Sequence, residues 1–142
     1  MEIRNIVRAI VYDIVKGDYI YLLLKAKKDY WQNPQGGINE GESEIEALVR
    51  EVREETGISI DGVSNWIRDS LEYQTERKGV LINSNVVSYA VRVDSSKKVK
   101  LSEEEGHTEY RWVNYEEALK LLTTYPEQGE VFRRIVNFLR AD

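Results

Sequence analysis

The run from Ser43 to Gly57 restricts this 142-residue chain more than any other segment, because it is patterned as an amphipathic helix from cap to cap. Ser43 supplies an N-cap, and Glu44 and Glu46 sit where the positive end of the helix dipole favours carboxylates. Ile45, Leu48, Val49 and Val52 recur at helical spacing and define one apolar face. Gly57 stands where a left-handed C-terminal cap is expected. The helix is therefore expected over Ser43–Thr56.

Strands surround it. Ile3–Ile14 is rich in Ile and Val, Lys16-Gly17-Asp18 is a turn, and Tyr19–Lys25 completes a hairpin. Asp29–Glu42 is polar and turn-prone, with Pro34, Gly36, Gly37 and Gly41. After the helix, strands are expected over Ile58–Asp69, near Leu71–Thr75, and over Val80–Val93. Asp94–His107 reads as a charged loop and Tyr110–Val113 as a short strand. Helical patterns follow at Tyr115–Leu122 and Glu127–Leu139. Strands, helix, strands, helices predict one α/β/α domain with a mixed sheet between helical layers.

The central helix carries an internal conflict. Glu51, Glu54 and Glu55 share one side of it, with Glu55 beside the apolar stripe, Glu51 next and Glu54 outermost. Like charges at this spacing destabilise an isolated helix, and Glu54 and Glu55 also lie at its negative end. A hard divalent cation such as Mg²⁺ removes the conflict, since it prefers carboxylate oxygens and keeps room for water and phosphate. Arg50 can pair with Glu46 or Glu54 and so orient the carboxylates. The glycine-rich loop before the helix lets backbone approach a phosphate chain closely.

Composition narrows the partners. A formal net charge of −5 argues against a broad nucleic-acid footprint, and Lys25, Lys27 and Lys28 read as a solvated strand end. With no cysteine, thiolate metal sites and disulfides are excluded. The N-terminal residues lack the apolar core of a signal peptide, and apolar runs such as Tyr19–Leu24 are too short to span a bilayer. A soluble cytoplasmic chain, monomeric or homodimeric, is expected.

Gly36, Glu42 and the run Arg50-Glu51-Val52-Arg53-Glu54-Glu55-Thr56-Gly57-Ile58 stand at spacings that resemble the complete Nudix box, without departure at any defining position. The resemblance implies an α/β/α sandwich and a hydrolase that cleaves phosphoanhydride bonds of nucleoside diphosphate derivatives with Mg²⁺ or Mn²⁺. It implies Glu51, Glu54 and Glu55 as metal ligands, beside the Gly36 and Gly37 backbone, with Arg50 as their orienting partner and Glu42 in support. The chemistry it implies is attack of a metal-activated water on phosphorus, with a carboxylate as general base.

In the family that base comes from the box or from a late loop. Here the late loop holds Glu103, Glu104 and Glu105, of which Glu104 and Glu105 are favoured. His107, the only histidine, is expected to be structural or to line the site. The run Trp31-Gln32-Asn33-Pro34-Gln35-Gly36-Gly37 resembles loops of diadenosine tetraphosphate hydrolases, RNA 5′-pyrophosphohydrolases and nucleoside triphosphate pyrophosphatases. Tyr30, Trp31, Gln35 and Gly37 are thus candidate substrate contacts, with Tyr73 and Arg68 as further candidates near a base. A nucleoside triphosphate or dinucleoside polyphosphate is the expected substrate. RNA 5′ ends, or a non-catalytic nucleotide-binding module, are the alternatives.

Overall fold

A computed structural model of the chain describes residues 1–60, 67–102 and 104–141. The first strand, β1 (Glu2–Val15), turns at Lys16-Gly17 into β2 (Asp18–Ala26), and two short strands follow, β3 (Trp31–Gln32) and β4 (Gln35–Gly37). Helix α1 spans Glu44–Thr56. Strands β5 (Arg68–Arg77), β6 (Val80–Arg92) and β7 (His107–Val113) lead to helices α2 (Tyr115–Leu121) and α3 (Pro126–Leu139). Among the described residues no helix is long and apolar enough to cross a membrane.

The strands form one mixed seven-stranded sheet in the order β3-β2-β1-β6-β5, with β4 on β1 and β7 on β2. The β1–β6 pair is parallel and the others are antiparallel. Side-chain alternation along β1 separates the two faces. Val7, Ala9 and Val11 pack with Ala47, Leu48 and Val52 of α1. Ile10 and Tyr12 pack with Val131, Phe132, Ile135 and Val136 of α3. The sheet lies between two helical layers, as the α/β/α expectation requires.

Several boundaries differ from the sequence reading. β3 and β4 lie inside the expected loop Asp29–Glu42; two and three residues are too short to show a period. Ile58 and Ile60 are buried but form no strand, and 61–66 of that expected strand lie outside the described residues. The Leu71–Thr75 strand is the middle of the longer β5, and β7 starts at His107 rather than Tyr110.

The helix that carries the glutamates is fixed at both ends. Ser43 Oγ accepts from the Glu46 backbone N–H at 3.0 Å, and the Glu46 carboxylate accepts from the Ser43 N–H at 3.0 Å, a reciprocal capping box. Gly57 takes a left-handed φ of 75° and donates to the Arg53 carbonyl at 2.8 Å. Ser43→Ala should therefore lower unfolding free energy by about 1 kcal/mol in urea titrations, while leaving the slope of the transition unchanged.

Candidate active site and metal centre

Along α1, exposure follows the angular order of the three glutamates. Glu55 is 2% exposed and Glu51 7%, while Glu54 stands on the solvent side. Glu55 is held by β4: Oε1 accepts from the Gln35 backbone N–H at 2.7 Å. Glu51 lies against Gly36, where a Cβ would collide with its carboxylate carbon and both oxygens. That glycine is required by close approach, not by backbone conformation.

From the opposite side, the turn before β7 delivers Glu105. One oxygen each from Glu51, Glu55 and Glu105 lies within 4.8 Å of the other two. Glu104 is exposed and outside this group, and Glu103 lies outside the described residues. Glu54 is also outside it; its Oε2 accepts from Arg50 Nη1 at 3.2 Å. Among the described residues, the sequence candidates thus divide into a converged trio and two carboxylates beside it.

Arg50 organises the near side. Nε and Nη2 hold both oxygens of Glu42 at 2.7 and 2.9 Å, Nη1 reaches Glu51 at 2.7 Å as well as Glu54, and Nη2 also meets the Gly37 carbonyl at 2.8 Å. All five N–H donors are used. The expected pairing with Glu54 is present. Glu46 is absent from the set because its carboxylate closes the capping box. Arg50 and the Asn39 N–H hold the Glu42 carboxyl down at about 2.

The buried carboxylates behave oppositely. Burial pushes the Glu55 carboxyl up to about 9, against the Gln35 hydrogen bond and with further repulsion from Glu51 and Glu105. Burial also raises Glu51, partly offset by Arg50. Behind Glu55, His107 Nε2 stands 3.4 Å from Glu55 Oε2 and 2.8 Å from Gln32 Nε2. Burial lowers the His107 pKa, so the neutral ring accepts from the Gln32 amide. His107 is therefore buried at the back of the trio.

An oxygen-only donor set, a glycine that admits the Glu51 carboxylate, and buried carboxylates that raise one another's pKa fit a hard divalent cation.

A second feature lies across Gln35. A polar cavity of about 330 Å³ opens on the α3 side of the sheet, lined by Arg8, Tyr30, Gln35, Tyr73, Tyr125 and Gln128 among others. Tyr30 and Tyr125 meet edge to face at 5.6 Å between ring centroids. Tyr30, Gln35 and Tyr73 of the expected substrate contacts line it. Trp31 does not; it is buried, with Arg111 4.9 Å and Lys25 5.9 Å from its ring centroid. Arg68 points elsewhere and holds Glu44 through two contacts of 3.0 Å. Gly37 borders a shallower depression with Gly36 and Gln35.

Sequence reading overlooked Arg8, Tyr125 and Gln128. Arg8 had a visible signal, being the lone charge within the Ile/Val-rich run Ile6–Val11.

The family model of the NUDIX domain matches residues 4–135. The chain belongs to the Nudix family. Among the Nudix hydrolases it resembles is an RNA pyrophosphohydrolase of Ruthia magnifica subsp. Calyptogena magnifica, 34% identical over 122 residues, covering 76% of this chain and 68% of that protein. An asymmetrical bis(5′-nucleosyl)-tetraphosphatase of Caenorhabditis elegans is 28% identical over 134 residues, covering 92% of each. Among solved structures, a binary complex of a C. elegans Ap4A hydrolase superposes with a TM-score of 0.78 at 26% identity, covering 98% of this chain and 99% of that one.

The titration of Glu55 gives a stability test. Its folded pKa, about 9, lies above the ordinary 4.5, so between those values the native state keeps a proton the unfolded chain has released. The stability tied to that proton is complete below about 4.5 and is lost as pH rises towards 9. Without divalent cation, Glu55→Gln should melt progressively higher than the parent as pH is raised across this window, followed by circular dichroism. A constant difference between the two proteins would contradict the buried, protonated state.

Proposed function

We propose that this Nudix hydrolase cleaves a phosphoanhydride bond in a nucleotide carrying a polyphosphate chain, with Mg²⁺ or Mn²⁺ held by Glu51, Glu55 and Glu105. The observation that carries the reading is the convergence of those three carboxylates beside Gly36, next to a polar cavity with aromatic walls. When bound, such a cation supplies charge neutralisation on phosphate oxygens and lowers the pKa of water.

The chain's own residues supply the rest. Gly36 makes room for the Glu51 carboxylate and Gly37 adds no side chain beside it, and Arg50 holds Glu51 and Glu54 in place while Glu42 anchors its guanidinium. Glu54, solvent-facing beside the trio, is available as a further ligand. Glu105 approaches from outside the helix and is exposed, which suits a carboxylate that takes a proton from the attacking water and passes it to bulk solvent. Glu104 stands next to it without joining the cluster. Tyr30, Tyr73 and Tyr125 offer ring faces and edges to a nucleobase. A cytoplasmic setting agrees with a cysteine-free chain acting on nucleotides.

A dinucleoside polyphosphate is the favoured substrate, because the likeness to the C. elegans enzymes extends over nearly the whole of both chains. The likeness to RNA pyrophosphohydrolases supports RNA 5′ ends as the second reading.

The test is a hydrolysis panel with Mg²⁺ covering NTPs, dNTPs, diadenosine polyphosphates, nucleotide sugars and 5′-triphosphorylated RNA, with products resolved by chromatography. Diadenosine tetraphosphate should be cleaved to a mono- and a triphosphate. Glu51→Gln, Glu55→Gln and Glu105→Gln should each reduce turnover by roughly 100-fold or more while the fold is kept. Glu105→Gln with ordinary kcat would remove that residue from the site. A folded parent silent on every substrate would sink the reading.

A further inference from the structure

Two arginines on this chain touch the same short strand, β4, and differ in how their donors are used. Arg50 spends all five N–H groups on protein acceptors. Arg8, in the middle of β1, is 1% exposed, yet among the described residues it makes one side-chain hydrogen bond, from Nε to Gln35 Oε1 at 3.1 Å. Its Nη2 stands 4.0 Å from Glu127 Oε1, beyond hydrogen-bond range, and its Nη1 is buried with no partner among the described residues. Burial lowers its pKa, the mark of a cation whose hydration has not been replaced.

A buried guanidinium with orphaned donors costs stability, and an apolar side chain in the same place would not carry that cost. Arg8 occupies a position where β1 otherwise feeds the core. Arg8 is one of the residues that line the polar cavity. Arg4 and Arg77 line it too, against the single carboxylate Glu127, so the cavity carries an excess of positive charge. The first turn of α3 contributes Glu127 and Gln128 to the wall, and no side chain caps that helix. The positive end of its dipole adds to the same field.

Gln35 ties this cavity to the carboxylates. Its backbone N–H donates to Glu55 and its side chain accepts from Arg8, so the two sites are separated by one residue. Gln35 is thus the residue common to the carboxylate trio and the cavity.

We propose that Arg8 is the polyphosphate receptor of this enzyme, its free Nη donors binding oxygens of a phosphate remote from the bond that is cleaved. The inference rests on the nucleotide polyphosphate reading. It makes Arg8 a binding and specificity-determining residue, which selects substrates whose phosphate chain extends past the carboxylates. Glu127, now the nearest counter-charge, is exchanged for the ligand's stronger acceptors.

The experiment is titration calorimetry of the full chain in EDTA at low ionic strength, with inorganic tripolyphosphate, ATP and adenosine as probes. The parent should bind tripolyphosphate and ATP. Arg8→Gln and Arg8→Met should weaken both by roughly tenfold or more, the loss expected when a charged hydrogen bond is removed, and leave adenosine binding unchanged. Arg8→Lys keeps the charge without the fork and should fall between them. Arg8→Met should melt no lower than the parent, which a purely structural arginine would not allow. On the preferred substrate, these variants should raise KM far more than they lower kcat.

Folded Gln and Met variants that bind tripolyphosphate like the parent would overturn the proposal, as would a parent that hydrolyses a polyphosphate but binds none in EDTA. In both cases hydrolysis by the parent leaves the proposed function standing. A parent that neither binds nor hydrolyses any nucleotide polyphosphate overturns both.

Discussion

Two carboxylates four residues apart, both removed from water on the inner side of α1, place demands on everything around them. Glu55 is accepted into the interior because β4 offers it a backbone N–H and burial keeps it protonated in the absence of a cation. Glu51 is accepted because Arg50 reaches it and because Gly36 presents no side chain. The helix is capped at both ends, so repulsion between the glutamates does not unwind it. Each device would be superfluous around an apolar helix face.

Arg50 shows how the arrangement is kept rigid. Its five hydrogen bonds join β4, the loop after it and two of the helix glutamates into one unit. The unit leans on the sheet through Leu48 and Val52, so the carboxylates are positioned by core packing rather than by mobile loops. Only Glu105 arrives from a turn, and it is the one exposed member of the trio.

Much of this was legible in the sequence where a residue's role is written in its local pattern. Ser43, Gly57 and the apolar stripe fix the helix, and rotation by ~100° per residue orders Glu55, Glu51 and Glu54 from buried to exposed. The partner of Arg50 was only half legible, because competition from the capping box for Glu46 is a local effect and the pairing with Glu42 depends on the path of the loop. β3 and β4 were hidden by their length. Ile58 and Ile60 misled because apolar residues at alternate positions report burial, not conformation. Trp31 looked like a stacking platform, but its ring sits under Arg111. Arg8 escaped notice because one charge in an Ile/Val-rich strand gains meaning only when its missing partners can be counted.

The parallel pairing of β1 with β6 has a consequence for how the chain reaches this state. Asn5 and Asn85 bond across that pair although they lie 80 positions apart in sequence, and the register runs from Glu2 to Tyr12. β1 is thus at the centre of the finished sheet, and its edge towards β6 is unsatisfied until the segment from Val80 onwards has been made. Closing so large a loop is entropically costly, and contacts of this range slow folding. Meanwhile the exposed edge of β1 is a template for unwanted strand pairing. Arg4 and Arg8 put charge along that strand during the interval, and the donors left free for a ligand in the finished enzyme are, in the nascent chain, what discourages another strand from docking there.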